Sequence, residues 1–284
     1  MTRLTHCLIP LTLIPHMITG LQSRPSIQGL FLDCDGTLCE TEVAVTLRQF
    51  NQAFQVFHQL NPRGKLIQWS EEEYADLLKV GDSKQRFLVY FERQGLWPEA
   101  VVQGIMTKSE FAADMQRLKN EQFDSVFSKV IGSGELKLRP GVKRLVEDAI
   151  RMGVPVAVCS NSNYRPVNTI VKSLLDVEKY DIPVYGGDSV TRKKPDPEIY
   201  ITAAEKFKIR DFSKCLVIED SNMGLLAAKK AGMRCVVTKS RFSKEEDFSL
   251  ADSVVNDLDS AGLTFERLDK MMEKGIFESA LLAA

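Results

Sequence analysis

The chain has 284 residues, with 37 Lys and Arg against 38 Asp and Glu, and only three histidines. A formal net charge of −1 lacks the basic excess of a nucleic-acid footprint. An apolar share of 44% with 26% charged residues is that of a folded globular chain and excludes a disordered one. His6, His16 and His58 show no metal-ligand spacing, and a Ser-His-Asp hydrolase would rest on His58 alone, so acid–base chemistry falls to carboxylates or lysines.

Residues 1–32 contain no Asp or Glu, and their apolar run is broken by Pro10 and Pro15. No stretch reaches the roughly 18 to 20 apolar residues that span a bilayer. Residues 1–27 therefore read as an acid-poor organelle transit peptide or as a disordered tail. Gly29-Leu30-Phe31-Leu32 reads as a buried strand. Val43, Leu47, Phe50, Phe54 and Phe57 set a helical period over 41–60. Further helices are expected over 71–79, 83–94 and about 107–131, with Phe111, Met115 and Leu118 on one face of the last. From Pro140 the rhythm alternates: helix 141–152, strand 155–159, helix 165–176, strand 183–186, helix 197–207, strand 215–218, helix 222–231 and strand 234–238. Alternating strands and helices predict an α/β fold with a parallel sheet covered on both faces. The helical block 39–139 interrupts this core, which comprises 28–38 and 140–284. Cys7, Cys34, Cys39, Cys159, Cys215 and Cys235 form no C-x-x-C pair, and several lie in apolar strand-like runs, which fits free thiols.

The candidate site residues follow strand ends, the edge at which open α/β sheets bind ligands. They are Asp33-Cys34-Asp35-Gly36-Thr37, Ser160-Asn161-Ser162-Asn163, Lys193-Lys194-Pro195-Asp196-Pro197 and Glu219-Asp220-Ser221-Asn222. Taken singly, the first reads equally well as a turn and the last as a helix N-cap. Taken together, they converge several acids and a lysine on one rim. Crowded carboxylates raise one another's pKa, and a hard cation relieves that cost; an oxygen-only donor set suits magnesium.

In this order, Asp33-Cys34-Asp35-Gly36-Thr37, Ser160, Lys194 and Glu219-Asp220 resemble the four-motif signature of the haloacid dehalogenase superfamily. Leu138-Arg139-Pro140-Gly141-Val142 and Lys193-Lys194-Pro195-Asp196-Pro197 are most similar to its CbbY-like branch, whose plant members act on sugar bisphosphates. The resemblance implies a Rossmann-like core with an inserted helical type-1 cap. It implies a Mg2+-dependent phosphatase that takes a small phosphosugar, xylulose-1,5-bisphosphate or a similar bisphosphate, as a plastid-stromal or cytoplasmic monomer without nucleic-acid or membrane partners.

Carried over residue by residue, Asp33 is the nucleophile and Asp35 the acid–base group. Ser160 and Lys194 bind the transferring phosphoryl oxygens. Asp33, the Asp35 carbonyl, Asp220 and Glu219 hold the metal. Glu42 is expected to contact sugar hydroxyls. Asn161, Ser162 and Asn163 are expected to bind substrate from the rim. The segment Gly81, Ser83, Lys84 and Arg86 is expected to grip a second phosphate, its alternative being a solvated helix start. The chain departs from its relatives at Val43-Ala44-Val45-Thr46-Leu47, where plant members carry a polar run, at Asp82 and Ser83 in place of cap glycines, and at Asn161 in place of Thr. A phosphosugar mutase shares the first half of this chemistry, and a retired binding protein would need none of it.

Overall fold

The computed structural model describes residues 24–175 and 180–277; the expected targeting segment lies outside them apart from its last four residues. Six parallel strands form one sheet in the order β3-β2-β1-β4-β5-β6. They are β1 (Gly29–Leu32), β2 (Val156–Cys159), β3 (Val184–Tyr185), β4 (Cys215–Glu219), β5 (Arg234–Thr238) and β6 (Ser253–Val255). Alternate side chains of each strand go to opposite faces. Leu30, Leu32, Val158, Leu216 and Ile218 pack on one side with α7 (Val142–Arg151), α8 (Tyr164–Leu174) and α11 (Phe265–Lys274). Phe31, Ala157, Val217 and Val237 pack on the other with α9 (Glu198–Lys206) and α10 (Asn222–Lys230). Burial on both faces explains why the central strands read as continuous apolar runs.

The register sets the site. Leu32 pairs with Val158 and with Ile218, so β1, β2 and β4 end level. The chain leaves β1 toward β2 on one side and β4 on the other, which opens a crevice at the end of β1, directly at Asp33.

Between β1 and α7 the chain forms a helical block. A π-helical stretch, Glu42–Leu47, runs into α1 (Arg48–Leu60), followed by α2 (Glu71–Leu78), α3 (Ser83–Gln94), α4 (Glu99–Val102), α5 (Lys108–Glu121) and α6 (Phe123–Gly132). Capping boxes fix two helix starts, Ser70 with Glu73 and Thr107 with Glu110. Phe50, Phe54, Trp69, Tyr74, Phe87, Phe91 and Phe111 make a separate aromatic core. The single helix expected over about 107–131 is broken at Gln122. Phe111, Met115 and Leu118 belong to the aromatic core, whereas Phe123, Val126, Phe127 and Val130 join the cluster under the sheet. One straight helix cannot serve two cores, so it turns. Sequence reading also omitted α4, β6 and α11, and the five described cysteines are free and buried, as expected.

Both linkers to the block are pinned to the rim. Cys39 bridges Leu138, and Arg139 N donates to Leu38 O at 2.8 Å. The Arg139 guanidinium donates to Gly36 O, to Thr238 O at 2.9 Å, to Lys239 O at 2.7 Å and to Asn256 O at 2.7 Å. One side chain thus ties the loop after β1 to the ends of β5 and β6. Among the described residues no helix is long and apolar enough to cross a membrane.

The sheet edge carries an acid-sensitive element. Asp252 accepts from Lys229 Nζ at 2.7 Å, Arg234 Nη1 at 2.8 Å and Cys235 N at 2.7 Å. Burial works against its charge, but these donors hold the carboxyl below its ordinary value. A depressed carboxyl stabilises the fold above its unfolded pKa and loses that contribution as pH falls through the folded value. Asp252→Asn is expected to lower stability at pH 7 by about 2 kcal/mol and to flatten the fall in stability below about pH 4. Urea midpoints across pH check this.

Candidate active site

Lys194 is the centre of the site. Its Nζ, buried at the crevice, donates to Asp33 Oδ1 at 2.7 Å, to Glu219 Oε1 at 2.6 Å and to Cys159 O at 2.8 Å. Burial opposes its charge, yet Asp33 and Glu219 push its pKa above the ordinary value, so it is a fixed cation. Asn161 sets its backbone: Lys194 N donates to Asn161 Oδ1 at 2.9 Å and Asn161 Nδ2 donates to Lys194 O at 3.2 Å. The amide expected to bind substrate is thus committed to holding the lysine.

Glu219 is fully enclosed and all its hydrogen-bonding capacity is used. Oε1 accepts from Lys194 and from Tyr200 OH at 2.8 Å. Oε2 accepts from Asp220 N at 3.0 Å, Ser221 N at 3.2 Å and Ser221 Oγ at 3.1 Å. Burial works against its carboxylate, but Lys194 holds it below the ordinary value. The arrangement depends on Gly224, because a Cβ there would overlap the Glu219 carboxylate. Gly224→Ala is expected to displace Glu219 and Lys194 and to lower kcat about 100-fold, with about 2 kcal/mol of overpacking strain. Steady-state kinetics and a urea melt check both.

Asp33 and Asp220 respond differently. Burial pushes the Asp33 carboxyl well above its ordinary value against the pull of Lys194, with Glu219 and Asp35 adding to the rise. Burial also raises Asp220, helped by Asp33 and Glu219. Oxygens of Asp33, Glu219 and Asp220 lie within 4.8 Å of one another. Three buried carboxylates beside one ammonium leave an excess of negative charge that a dication would balance, and the donors are all oxygen, which suits magnesium. Gly36, at φ +87°, lets the loop pass here, since a Cβ would collide with the Asp220 carboxylate.

Asp35, two residues past Asp33, faces hydroxyls. Thr41 Oγ1 donates to its Oδ1 at 2.5 Å, and Ser160 Oγ and Ser162 Oγ donate to its Oδ2 at 3.2 and 2.8 Å. Ser160 and Ser162 thus orient this carboxylate. Asn163 is an exposed N-cap of α8 whose side chain makes no cap hydrogen bond.

The helical block adds a second cluster over the rim. Tyr74 OH donates to Glu42 Oε2 and accepts from Arg86 Nη1 at 3.4 Å. Burial raises the Glu42 carboxyl, and Asp35 raises it further. Burial lowers the pKa of Lys119, which feels the charges of Glu42, Arg86 and Asp35. Its Nζ lies 5.3 Å from the centre of the Phe50 ring and has no hydrogen-bonded or ion-paired partner among the described residues. Glu42 and Arg86 therefore meet at the site. Gly81, Ser83 and Lys84 stand at the start of α3, and among the described residues no side-chain hydrogen bond or ion pair joins them to this cluster. Sequence reading missed Thr41, Tyr74, Lys119, Arg139 and Tyr200. One signal was present for Lys119: it stands at the i+8 position of the stripe Phe111, Met115, Leu118, where a helix facing a core carries an apolar residue.

Comparison with known proteins places this geometry. Residues 27–232 match the family model of haloacid dehalogenase-like hydrolases. The chain is 43% identical over 237 residues to a CBBY-like protein of Arabidopsis thaliana, covering 83% of this chain and 70% of that one. It is 31% identical to CbbY of Rhodobacter capsulatus, covering 83% of this chain and 95% of the relative. Among solved structures, CbbY from Rhodobacter sphaeroides in complex with phosphate matches at TM-score 0.69 and 30% identity, over 86% of this chain and 99% of that one. A mutant of the same protein in complex with xylulose-1,5-bisphosphate matches at TM-score 0.67, also at 30% identity, over 83% and 96%. The chain belongs to the haloacid dehalogenase-like hydrolases, within their CbbY-like branch, and is an enzyme of the phosphatase class.

Proposed function

We propose that the chain hydrolyses a small sugar bisphosphate, xylulose-1,5-bisphosphate or a close relative, through an aspartyl-phosphate on Asp33. One observation carries this reading: a buried carboxylate and a fixed ammonium stand 2.7 Å apart at the end of β1, with a second, hydroxyl-held carboxylate two residues on. The bound sugar bisphosphate of a relative that is 30% identical supports the substrate class.

In the first half, an Asp33 oxygen bonds to phosphorus and the bond to the sugar oxygen breaks, while Asp35 gives that oxygen a proton. In the second, Asp35 takes a proton from water as its oxygen bonds to phosphorus, and the Asp33–phosphorus bond breaks to release phosphate. Lys194 presents its charge to the transferring oxygens. Asp33 and Asp220 would hold magnesium, with Glu219 behind them keeping Lys194 in place; the metal supplies charge neutralisation between two anions. Glu42 would meet sugar hydroxyls, and Arg86 with Lys119 the non-reacting phosphate. The helical block 39–139 would act as a cap that excludes bulk water.

A panel of sugar mono- and bisphosphates, assayed for phosphate release with magnesium, tests the reading. Release is expected to be fastest from a bisphosphate and to stop with EDTA. Equal rates on every monophosphate, or full activity in EDTA, would overturn it.

A further inference from the structure

The core loop that follows β5, whose first residues Arg139 already holds, makes a second bridge to the helical block. The Arg241 guanidinium pairs with Glu71, the first residue of α2. The adjacent Phe242 ring meets Tyr74, one turn further along α2, edge-on at 6.2 Å and 90°. Arg241 also lies over the Phe242 ring at 5.7 Å, so the two side chains form one unit.

Both contacts fall on α2, and the second reaches Tyr74, which joins two groups proposed to face substrate. The Tyr74 hydroxyl donates to Glu42 and accepts from Arg86, whose guanidinium lies 5.8 Å from the Tyr74 ring centre. Tyr74 thus links Glu42 to Arg86. On its other side the loop reaches the acid cluster. Ser240 flanks Gly36 together with the Asp220 carboxylate, and its hydroxyl shares a 3.0 Å contact with Ser243 Oγ. Glu246 accepts from Asn222 N at the start of α10, directly after Asp220-Ser221. The loop is thus held at the core end near Asp220-Ser221 and reaches α2 through Arg241 and Phe242.

We propose that Arg241 and Phe242 are positioning residues for substrate selection: they latch α2 to the core and so fix Glu42 and Arg86 over the phosphoryl site. This rests on the phosphatase reading. An exposed ion pair and one aromatic contact are each modest in strength. Their loss therefore shifts the placement of the block without unfolding it, and weakens most the binding of substrates that the block must grip.

The test compares wild type, Arg241→Glu, Glu71→Arg, the double charge swap and Phe242→Ala on two substrates. These are xylulose-1,5-bisphosphate and p-nitrophenyl phosphate, which offers the block neither sugar hydroxyls nor a second phosphate. The ratio of kcat/KM for the first over the second is expected to fall about threefold to tenfold in each single variant, mainly through KM. The swap is expected to return it to within about twofold of wild type. Hydrogen exchange of the α2 amides is expected to quicken in the single variants and recover in the swap. An unchanged ratio, or a swap that restores neither measurement, overturns the proposal. If wild type releases phosphate from neither substrate, the phosphatase reading falls, and the exchange data alone decide the latch.

Discussion

Asp33→Asn is expected to end phosphate release, with kcat lower by at least about 1,000-fold. The substitution exchanges one oxygen for an amide nitrogen at nearly constant volume, so the crevice keeps its shape. An amide is not a nucleophile toward phosphorus, and neither Glu219 nor Asp35 is free to take its place. Glu219 is fully engaged by Lys194, Tyr200 and Ser221, and Asp35 is turned to Thr41, Ser160 and Ser162. Lys194 keeps Glu219 and Cys159 O as partners. Because burial pushes the Asp33 carboxyl above its ordinary value, its charge is unfavourable to the fold at neutral pH, and the neutral amide does not reduce stability. Activity and thermal stability therefore separate: release disappears while the melting temperature holds or rises. Activity near wild type would remove Asp33 from the chemistry.

The candidate rim was legible because each piece is short and follows a strand. Asp33, Ser160 and Glu219-Asp220 each sit where an apolar run stops, and a parallel sheet brings those ends level. Contacts that depend on distant packing were not legible. Nothing local in Asn161 says that its amide will clamp the backbone of Lys194, and nothing in Arg139 names carbonyls around residues 36, 238 and 256. The break at Gln122 was hidden for a related reason. The apolar period continues through it, and only the tertiary structure shows that the two halves face different cores. Strand β6 escaped because three residues at a sheet edge carry no period to detect.

The helical block shows the same limit from the chemical side. Glu42 and Arg86 were expected on motif grounds, but what unites them is Tyr74, which the sequence reading did not single out. Tyr74 serves both ends at once, its ring packed among Phe50, Trp69 and Phe242 and its hydroxyl between an acid and an arginine. The site thus has one preformed half on the sheet and a second cluster carried by the helical block.

Lys194→Met tests the preformed half. In wild type the lysine offsets Asp33 and Glu219 at once, and its Nζ lies 4.9 Å from the centre of the Tyr200 ring. Methionine keeps the stem and removes the charge, leaving two buried carboxylates without a cation. Breaking such a network costs about 3 to 5 kcal/mol at pH 7, and removing the charge from the transferring oxygens lowers kcat by about 100- to 1,000-fold. The pH dependence should reverse as well. Glu219 in wild type sits below its ordinary value because of Lys194. Without the lysine, burial raises it, the folded state then binds the extra proton, and stability grows as pH falls from 7 toward 5. Adding Glu219→Gln removes one of the two uncompensated charges, so the double variant should regain part of the lost stability at pH 7 while remaining inactive. Urea melts at pH 5 and pH 7 on both variants, alongside phosphate release, decide the matter: a single variant as stable as wild type at pH 7, or a double variant that regains activity, would show that Lys194 is neither the counter-ion nor the phosphoryl-binding charge of this site.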